Sequence, residues 1–344
     1  FQMDIDTDTA ELPPYLKRWL SAKGIVKELN LIDTINGRAA GRLTLSGRTD
    51  DLNAQVAVDH FDIKARYQRL PFPIALQGNN LNFNNQQILI GRLNGTLSKS
   101  KFEEVSAALS FNPTTTMTAR AQTAVIALNE IAPWLRSVEP SLFLLRGHRN
   151  IQGQMHLVDL KLKGPLTTPT KWSLQTRGMA KKIRFDAEQL SSSVGISKGS
   201  FSGVINPQKE SFVLQNIHVS ALDSTLQVNG TIQQFFQGLP EADIRFAGQV
   251  RSPLLNRISD KIPALSEYVL RTPVEIKSAR LRWQKPESVE FSGKLLTSSG
   301  PNVSWNLRKI KQDWQLTPLV IQDQKRSASI SLRATNDMLN FNFS

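Results

Sequence analysis

Residues 243–250 read Asp-Ile-Arg-Phe-Ala-Gly-Gln-Val, and this stretch decides the fold class. In an extended chain successive side chains point to opposite faces. Ile244, Phe246 and Val250 would therefore lie on one face, while Arg245 points to the other. Strict alternation of apolar and polar residues is typical of an antiparallel strand with one buried and one hydrated face.

The same alternation recurs along most of the chain. It appears at Leu43/Leu45, Val105/Ala107/Leu109/Phe111, Leu226/Val228, Val289/Phe291/Leu295, Val303/Trp305/Leu307, Ala328/Ile330/Leu332 and Leu339/Phe341/Phe343. Turn-forming residues separate these segments at hairpin-like spacing, as at Asn84-Asn85 and Asn206-Pro207. The alternation changes phase between Leu214 and Ile217, which predicts a β-bulge near Gln215-Asn216. The sequence therefore predicts a mainly β protein with an elongated, curved antiparallel sheet.

Helical patterns are few and follow alternating strands directly. They cover residues 13–30, 128–138 and 252–270, and we expect these helices to pack at an end or edge of the sheet. The intervening segments repeat loosely: Ile90-x-x-Leu93 with Leu97 and Ser100 matches Leu214-x-x-Ile217 with Ala221 and Ser224. We infer a continuous array of β-repeat units over residues 1–127, 128–251 and, incompletely, 252–344. Strand patterns at both ends of the sequence predict a fragment of a longer protein.

Composition favours a folded binding protein over an enzyme. The 344 residues carry a formal net charge of +13. The basic residues are dispersed, as expected of hydrated strand faces, and lack the interleaved aromatic rings of a nucleic-acid platform. Cysteine is absent, and neither a metal-ligand cluster nor a phosphate loop or nucleophile motif is recognisable. We predict no catalytic residues, no metal and no cofactor.

The apolar face of such a sheet must be covered by a second sheet, by helices or by a ligand. Alternation alone does not distinguish a row of β-sandwiches with solid cores from an open groove that binds hydrocarbon chains. In the groove interpretation the lining residues share strand phase and are apolar. They are Leu109, Phe111, Leu226, Val228, Ile244, Phe246, Phe291 and Leu295.

Several motifs resemble a known family of large bacterial envelope proteins. They are Gly199-Ser-Phe-Ser-Gly-Val-Ile-Asn-Pro, Ile131-Ala-Pro-Trp134-Leu135, Leu160-x-Leu-x-Gly164-Pro165, and Phe291-Ser-Gly293 followed by Gly300-Pro301-x-Val303. In these β-repeat signatures the chain resembles the AsmA-like family, which includes the YhdP and TamB relatives. The resemblance implies a periplasmic protein, anchored in the inner membrane through an N-terminal segment absent here. It also implies a repeating β-groove that carries phospholipid or another acyl-chain lipid toward the outer membrane.

Two further functions remain open from the sequence. The chain could be a periplasmic scaffold or assembly factor whose strands contact envelope proteins, including outer-membrane proteins, without conducting lipid. It could also be an adhesive or carbohydrate-binding β-repeat domain, although an aromatic content of 7% leaves few exposed ring platforms. We expect lipid and the two membranes as partners, with envelope proteins as further candidates, and no nucleic acid.

Overall fold

A computed structural model describes most of the chain. The described residues are 1–11, 13–14, 23–48, 51–84, 86–111, 114–138, 147–166, 168, 171–206, 209–234, 241–259, 273–284, 288–297, 301–311, 313–323, 326–335 and 338–344. They confirm a mainly β fold. Nineteen strands lie within these described residues, and neighbouring strands pair antiparallel within each of the two units described below.

The strands are mostly longer than those of an average globular domain. They are β1 (Gln2–Asp8), β2 (Ile32–Arg48), β3 (Asp51–Tyr67), β4 (Ile74–Phe83), β5 (Gln87–Leu97), β6 (Ser100–Ser110), β7 (Thr116–Ala127), β8 (His148–Pro165), β9 (Ser173–Ala187), β10 (Ser192–Asn206), β11 (Lys209–Ala221), β12 (Ser224–Gln233), β13 (Glu241–Val250), β14 (Val274–Gln284), β15 (Ser288–Thr297), β16 (Asn302–Ile310), β17 (Asp313–Asp323), β18 (Arg326–Ala334) and β19 (Leu339–Phe343).

The described helices are short. They are α1 (Lys23–Leu29), α2 (Leu128–Val138) and α3 (Ser252–Ser259), with a 3-10 turn at Thr9–Glu11. All three fall within the segments predicted to be helical. Residues 15–22 of the first predicted helix and residues 260–270 of the third lie outside the described residues, as do residues 271–272 that follow it.

The chain packs as two compact units. Unit 1 comprises Phe1–Pro140, Gln154–Gly178 and Val204–Gln208, and unit 2 comprises Ser141–Gly153, Met179–Gly203 and Lys209–Ser344. The three predicted repeat units remain a prediction, because compactness and sequence repetition are different properties of the chain.

In unit 1 each strand from β1 to β7 pairs with the next strand along the chain. The turns use local side-chain acceptors: Asn84 Oδ1 accepts hydrogen bonds from the backbone N–H groups of Gln86 and Gln87 at 2.9 Å. One apolar cluster of this unit is centred on Phe61, which is 1% exposed, with Ala39 and Leu93.

In unit 2 the strands from β11 to β19 pair in the same sequential way. The predicted bulge is confirmed. Leu214 pairs with Gly230 and Ile217 with Val228, so two residues of β11 face only one of β12. Asn216 in this bulge has a φ of 52°, a left-handed conformation that asparagine tolerates better than most residues.

Two buried serines share a structural role at positions that the sequence match had aligned. Ser100 Oγ accepts the backbone N–H of Ala127 at 3.0 Å, and Ser224 Oγ accepts that of Arg251 at 2.9 Å. Each serine begins a strand after a tight hairpin, and each acceptor lies 27 residues before its donor. The donors stand where β7 and β13 lead into α2 and α3. The match between Ser100 and Ser224 is thus a match of local structure.

Candidate functional site

The candidate site is the apolar face of unit 2, where cross-strand register brings separate segments together. Residues directly opposite each other in an antiparallel pair point to the same face. Val228 pairs with Phe246, and Phe246 pairs with Ala279. Ala279 pairs with Gly293, and Gly293 in turn pairs with Trp305. One continuous row therefore crosses five strands, from β12 to β16.

Two parallel rows flank this central row. One contains Ile244, Leu281, Phe291, Leu307, Leu316 and Leu332; the other contains Leu226, Gly248, Ile276, Leu295, Val303, Ile321 and Ala328. We call these three rows together the apolar face of unit 2. Six of the eight residues predicted to line a lipid path lie in them: Leu226, Val228, Ile244, Phe246, Phe291 and Leu295.

Three aromatic rings occupy the centre of this face. The ring centroids of Phe246 and Phe291 lie 6.2 Å apart with the ring planes 14° from parallel. Those of Phe291 and Trp305 lie 5.3 Å apart at 56°. A Cβ atom at Gly293 would come within 2.5 Å of the Trp305 ring, so the glycine makes room for the indole. All three aromatic side chains are half-buried, and we call them together the aromatic trio.

Leu109 and Phe111, the other two predicted residues, lie in unit 1 in a different environment. Phe111 is 7% exposed and packs with Phe83, which is 8% exposed. Leu109 borders this cluster, and so do Val26 and Leu29 of α1. The helix therefore covers the apolar residues here, and we call this group the covered cluster of unit 1.

A polar clamp holds α1 in this position. Arg69 donates to Glu28 Oε1 at 3.0 Å, and the Tyr67 hydroxyl donates to Glu28 Oε2. Burial acts to raise the pKa of Glu28, but the hydrogen bonds from Arg69 and Tyr67 outweigh it and lower the pKa below its ordinary value of 4.5. Burial and the contact with Glu28 raise the pKa of Tyr67.

The opposite face of unit 2 is polar and holds an open cavity of about 630 Å³. Most of its lining residues flank the central apolar row along each strand, and four residues of that row also line the cavity: Phe246, Ala279, Gly293 and Trp305. Four other lining residues are cations: Arg245, Lys277, Arg280 and Lys294. Asp243 accepts a hydrogen bond from Arg280 Nε at 2.8 Å, and this bond lowers the pKa of Asp243. The sequence had identified this face as hydrated, without indicating a cavity.

Strand β14 was missing from the residues predicted to line the path. Its apolar residues Ile276, Ala279 and Leu281 do not alternate strictly, because register shifts at Lys277-Ser278 relative to both neighbouring strands. The bulge inserts one residue and restores the phase beyond it. The spacing of three residues between Ile276 and Ala279 was the available signal.

The described residues contain neither a cluster of metal ligands nor a helix that could span a membrane. Within the described residues, no group of three or more His, Cys, Asp or Glu side chains is placed to hold a metal ion. No helix among those residues is both long and apolar enough to cross a membrane.

The comparisons with known proteins add no relative. No family model, curated protein or solved structure matches the chain.

Proposed function

We propose that the chain binds acyl-chain lipids along the apolar face of unit 2 and serves as a segment of a lipid-transport path. The observation that carries the proposal is the continuity of this face across seven strands, with the aromatic trio half-buried at its centre. An apolar surface of this size favours cover by something hydrophobic.

The dimensions of the central row suit one acyl chain. Neighbouring strands lie roughly 4.8 Å apart, so the row from Val228 to Trp305 spans roughly 19 Å. Half of a bilayer's hydrocarbon core, the reach of one acyl chain, is roughly 15 Å. Each methylene that such a chain buries contributes about 0.8 kcal/mol, so a chain lying along the row would be held without any polar contact.

The resemblance to AsmA-like proteins supports the wider part of the proposal. Proteins of that family lie in the periplasm, where a repeating β-groove carries phospholipid between the inner and outer membranes. We extend the same location and role to this chain. The scaffold or assembly-factor alternative requires no bound lipid, so the detection of bound lipid distinguishes the two proposals.

The test is photo-crosslinking from the apolar face. A benzophenone amino acid replaces Phe246, and a matched probe replaces Gln249, an exposed residue of the polar face on the same strand. We expect phospholipid adducts from position 246 and none from position 249, together with lipid in native mass spectra of the purified chain. Equal labelling at both positions, or lipid-free protein without adducts, would reject lipid binding in favour of the scaffold alternative.

A charge substitution provides the second arm. In a closed core, Phe246→Asp would bury an unpaired carboxylate and unfold the protein. On a hydrated or lipid-covered face the carboxylate can recruit water. We expect Phe246→Asp to retain its β circular dichroism spectrum and to lose lipid, whereas global unfolding would indicate a solid core.

A further inference from the structure

The cavity on the polar face of unit 2 is lined by more positive charge than its neighbours balance. Its lining contains four cations and no carboxylate. Two of them have carboxylate partners just outside the lining: Arg280 pairs with Asp243, and Lys277 Nζ lies 2.8 Å from Glu275 Oε1. For Arg245 and Lys294, no described carboxylate lies within ion-pair distance.

Two of these cations also lie in a cross-strand arrangement that is unfavourable in a sheet. Arg245 stands directly opposite Arg280 across the β13–β14 pair, and like charges in directly opposed positions destabilise a sheet. Asp243 offsets part of this repulsion through its hydrogen bonds to Arg280. An unfavourable pairing of charges that folding does not require is typical of functional sites.

Neutral polar groups and residues of the central apolar row make up the rest of the lining. Ser292, Ser304 and Asn229 line the cavity beside the cations. Asn306 also lines it, and its Oδ1 atom is buried without a hydrogen-bond partner among the described atoms. An unpaired buried acceptor costs free energy until a donor reaches it, and a ligand hydroxyl could supply that donor.

We infer that this cavity binds a phosphorylated polyol. Arg245 and Lys294 contact the phosphate, while Asn306 and the neighbouring serines bind the hydroxyl groups. The phosphate and hydroxyl chemistry is common to free glycerol or sugar phosphates and to phospholipid headgroups. The cations alternate along their strands with the residues of the central apolar row, and two members of the aromatic trio, Phe246 and Trp305, also border the cavity. The assignment rests on the cations and does not require acyl-chain binding.

Equilibrium binding at constant ionic strength tests the assignment. Glycerol 3-phosphate is titrated into the full chain by calorimetry, with sodium chloride of matched ionic strength as the reference. We expect saturable binding that Arg245→Gln and Lys294→Gln each weaken about tenfold, since a hydrogen bond to a charged group commonly contributes that much. Lys294→Arg retains the charge and should bind within about threefold of the parent chain. The control Arg333→Gln removes an exposed cation outside the cavity and should bind as the parent does.

A second arm distinguishes the source of the phosphate. Flotation compares vesicles of phosphatidylcholine alone with vesicles containing 30% phosphatidylglycerol, using the same variants. Anionic-vesicle binding that is lost in Lys294→Gln assigns the site to lipid headgroups, and glycerol 3-phosphate binding alone assigns it to a soluble ligand. Equal losses in Arg333→Gln, or no saturable binding of either probe, would overturn the inference while leaving crosslinking at Phe246 as a separate result.

Discussion

The covered cluster of unit 1 and the aromatic trio of unit 2 are built from similar residues but differ in what lies over them. Phe111 is 7% exposed and is bordered by Val26 and Leu29 of α1. Phe246 is half-buried, and its ring centroid lies 6.2 Å from that of Phe291 on the neighbouring part of the sheet. The same alternating pattern thus produces a local hydrophobic core where a helix packs on it, and a partly uncovered surface elsewhere. The cover provided by α1, and not the strand pattern, therefore distinguishes the buried cluster from the partly uncovered face.

The largest expected effect is a difference in stability between two phenylalanine truncations. Phe111→Ala empties a buried site and should cost about 3–5 kcal/mol. Phe246→Ala removes one ring contact and partial burial, so its cost should be about 1–2 kcal/mol. Urea unfolding of the two variants measures both values. Equal costs would show that Phe246 belongs to a core as closed as that of Phe111, and the distinction between the two regions would be lost.

A smaller loss of stability is expected for Ser100 and Ser224, the equivalent serines that accept hydrogen bonds where α2 and α3 begin. Ser100→Ala leaves the N–H of Ala127 unpaired, and Ala127 is only 3% exposed, so we expect a loss of about 1–3 kcal/mol. Ser224→Ala should cost less, about 1 kcal/mol, because Arg251 is exposed and water can bond its N–H. Ser106→Ala, exposed on the same strand as Ser100, serves as the neutral control. If Ser224→Ala were the more damaging change, the hydrogen bond would not explain either result.

The last comparison is between two carboxylates that differ in burial, and it includes the smallest expected effect. Glu28 holds α1 over the covered cluster and its side chain is 11% exposed, so Glu28→Gln should cost about 1.5 kcal/mol. Asp243 lies on the polar face with its side chain 37% exposed, and solvent screening limits Asp243→Asn to about 0.5 kcal/mol.

The pH dependence of these two variants provides an independent check. Both carboxyls have pKa values below their ordinary values of 4.5 and 3.8. Their contributions are therefore complete above the ordinary pKa and are lost as the pH falls through the folded-state pKa. Unfolding measured from pH 6 down to pH 2 should show each variant converging on the parent chain. A difference for Glu28→Gln that persisted undiminished at pH 2 would exclude the charged clamp.

The sequence predicted the outline of the candidate site but not its full membership. Alternation correctly placed Phe246, Phe291 and Leu295 on one face, because strand phase is a local property of the chain. It omitted Ala279 and Leu281, since the bulge at Lys277-Ser278 interrupts the period that defines the pattern. The cavity was also missed, because its lining residues come from six strands, β12 to β17, and the sequence does not state the register between those strands.

By itself, the sequence determined the antiparallel class, the helix positions that the structure describes, the bulge at Gln215-Asn216 and the equivalence of Ser100 with Ser224. These depend on backbone preferences and on side-chain periods of two or about four residues, which act over short stretches of chain. Only the tertiary structure decided that Phe111 is buried beside α1 while Phe246 remains half-buried, and that Arg245 opposes Arg280. Burial and charge pairing depend on which distant segments meet, and cross-strand register fixes that outcome only once the sheet has formed.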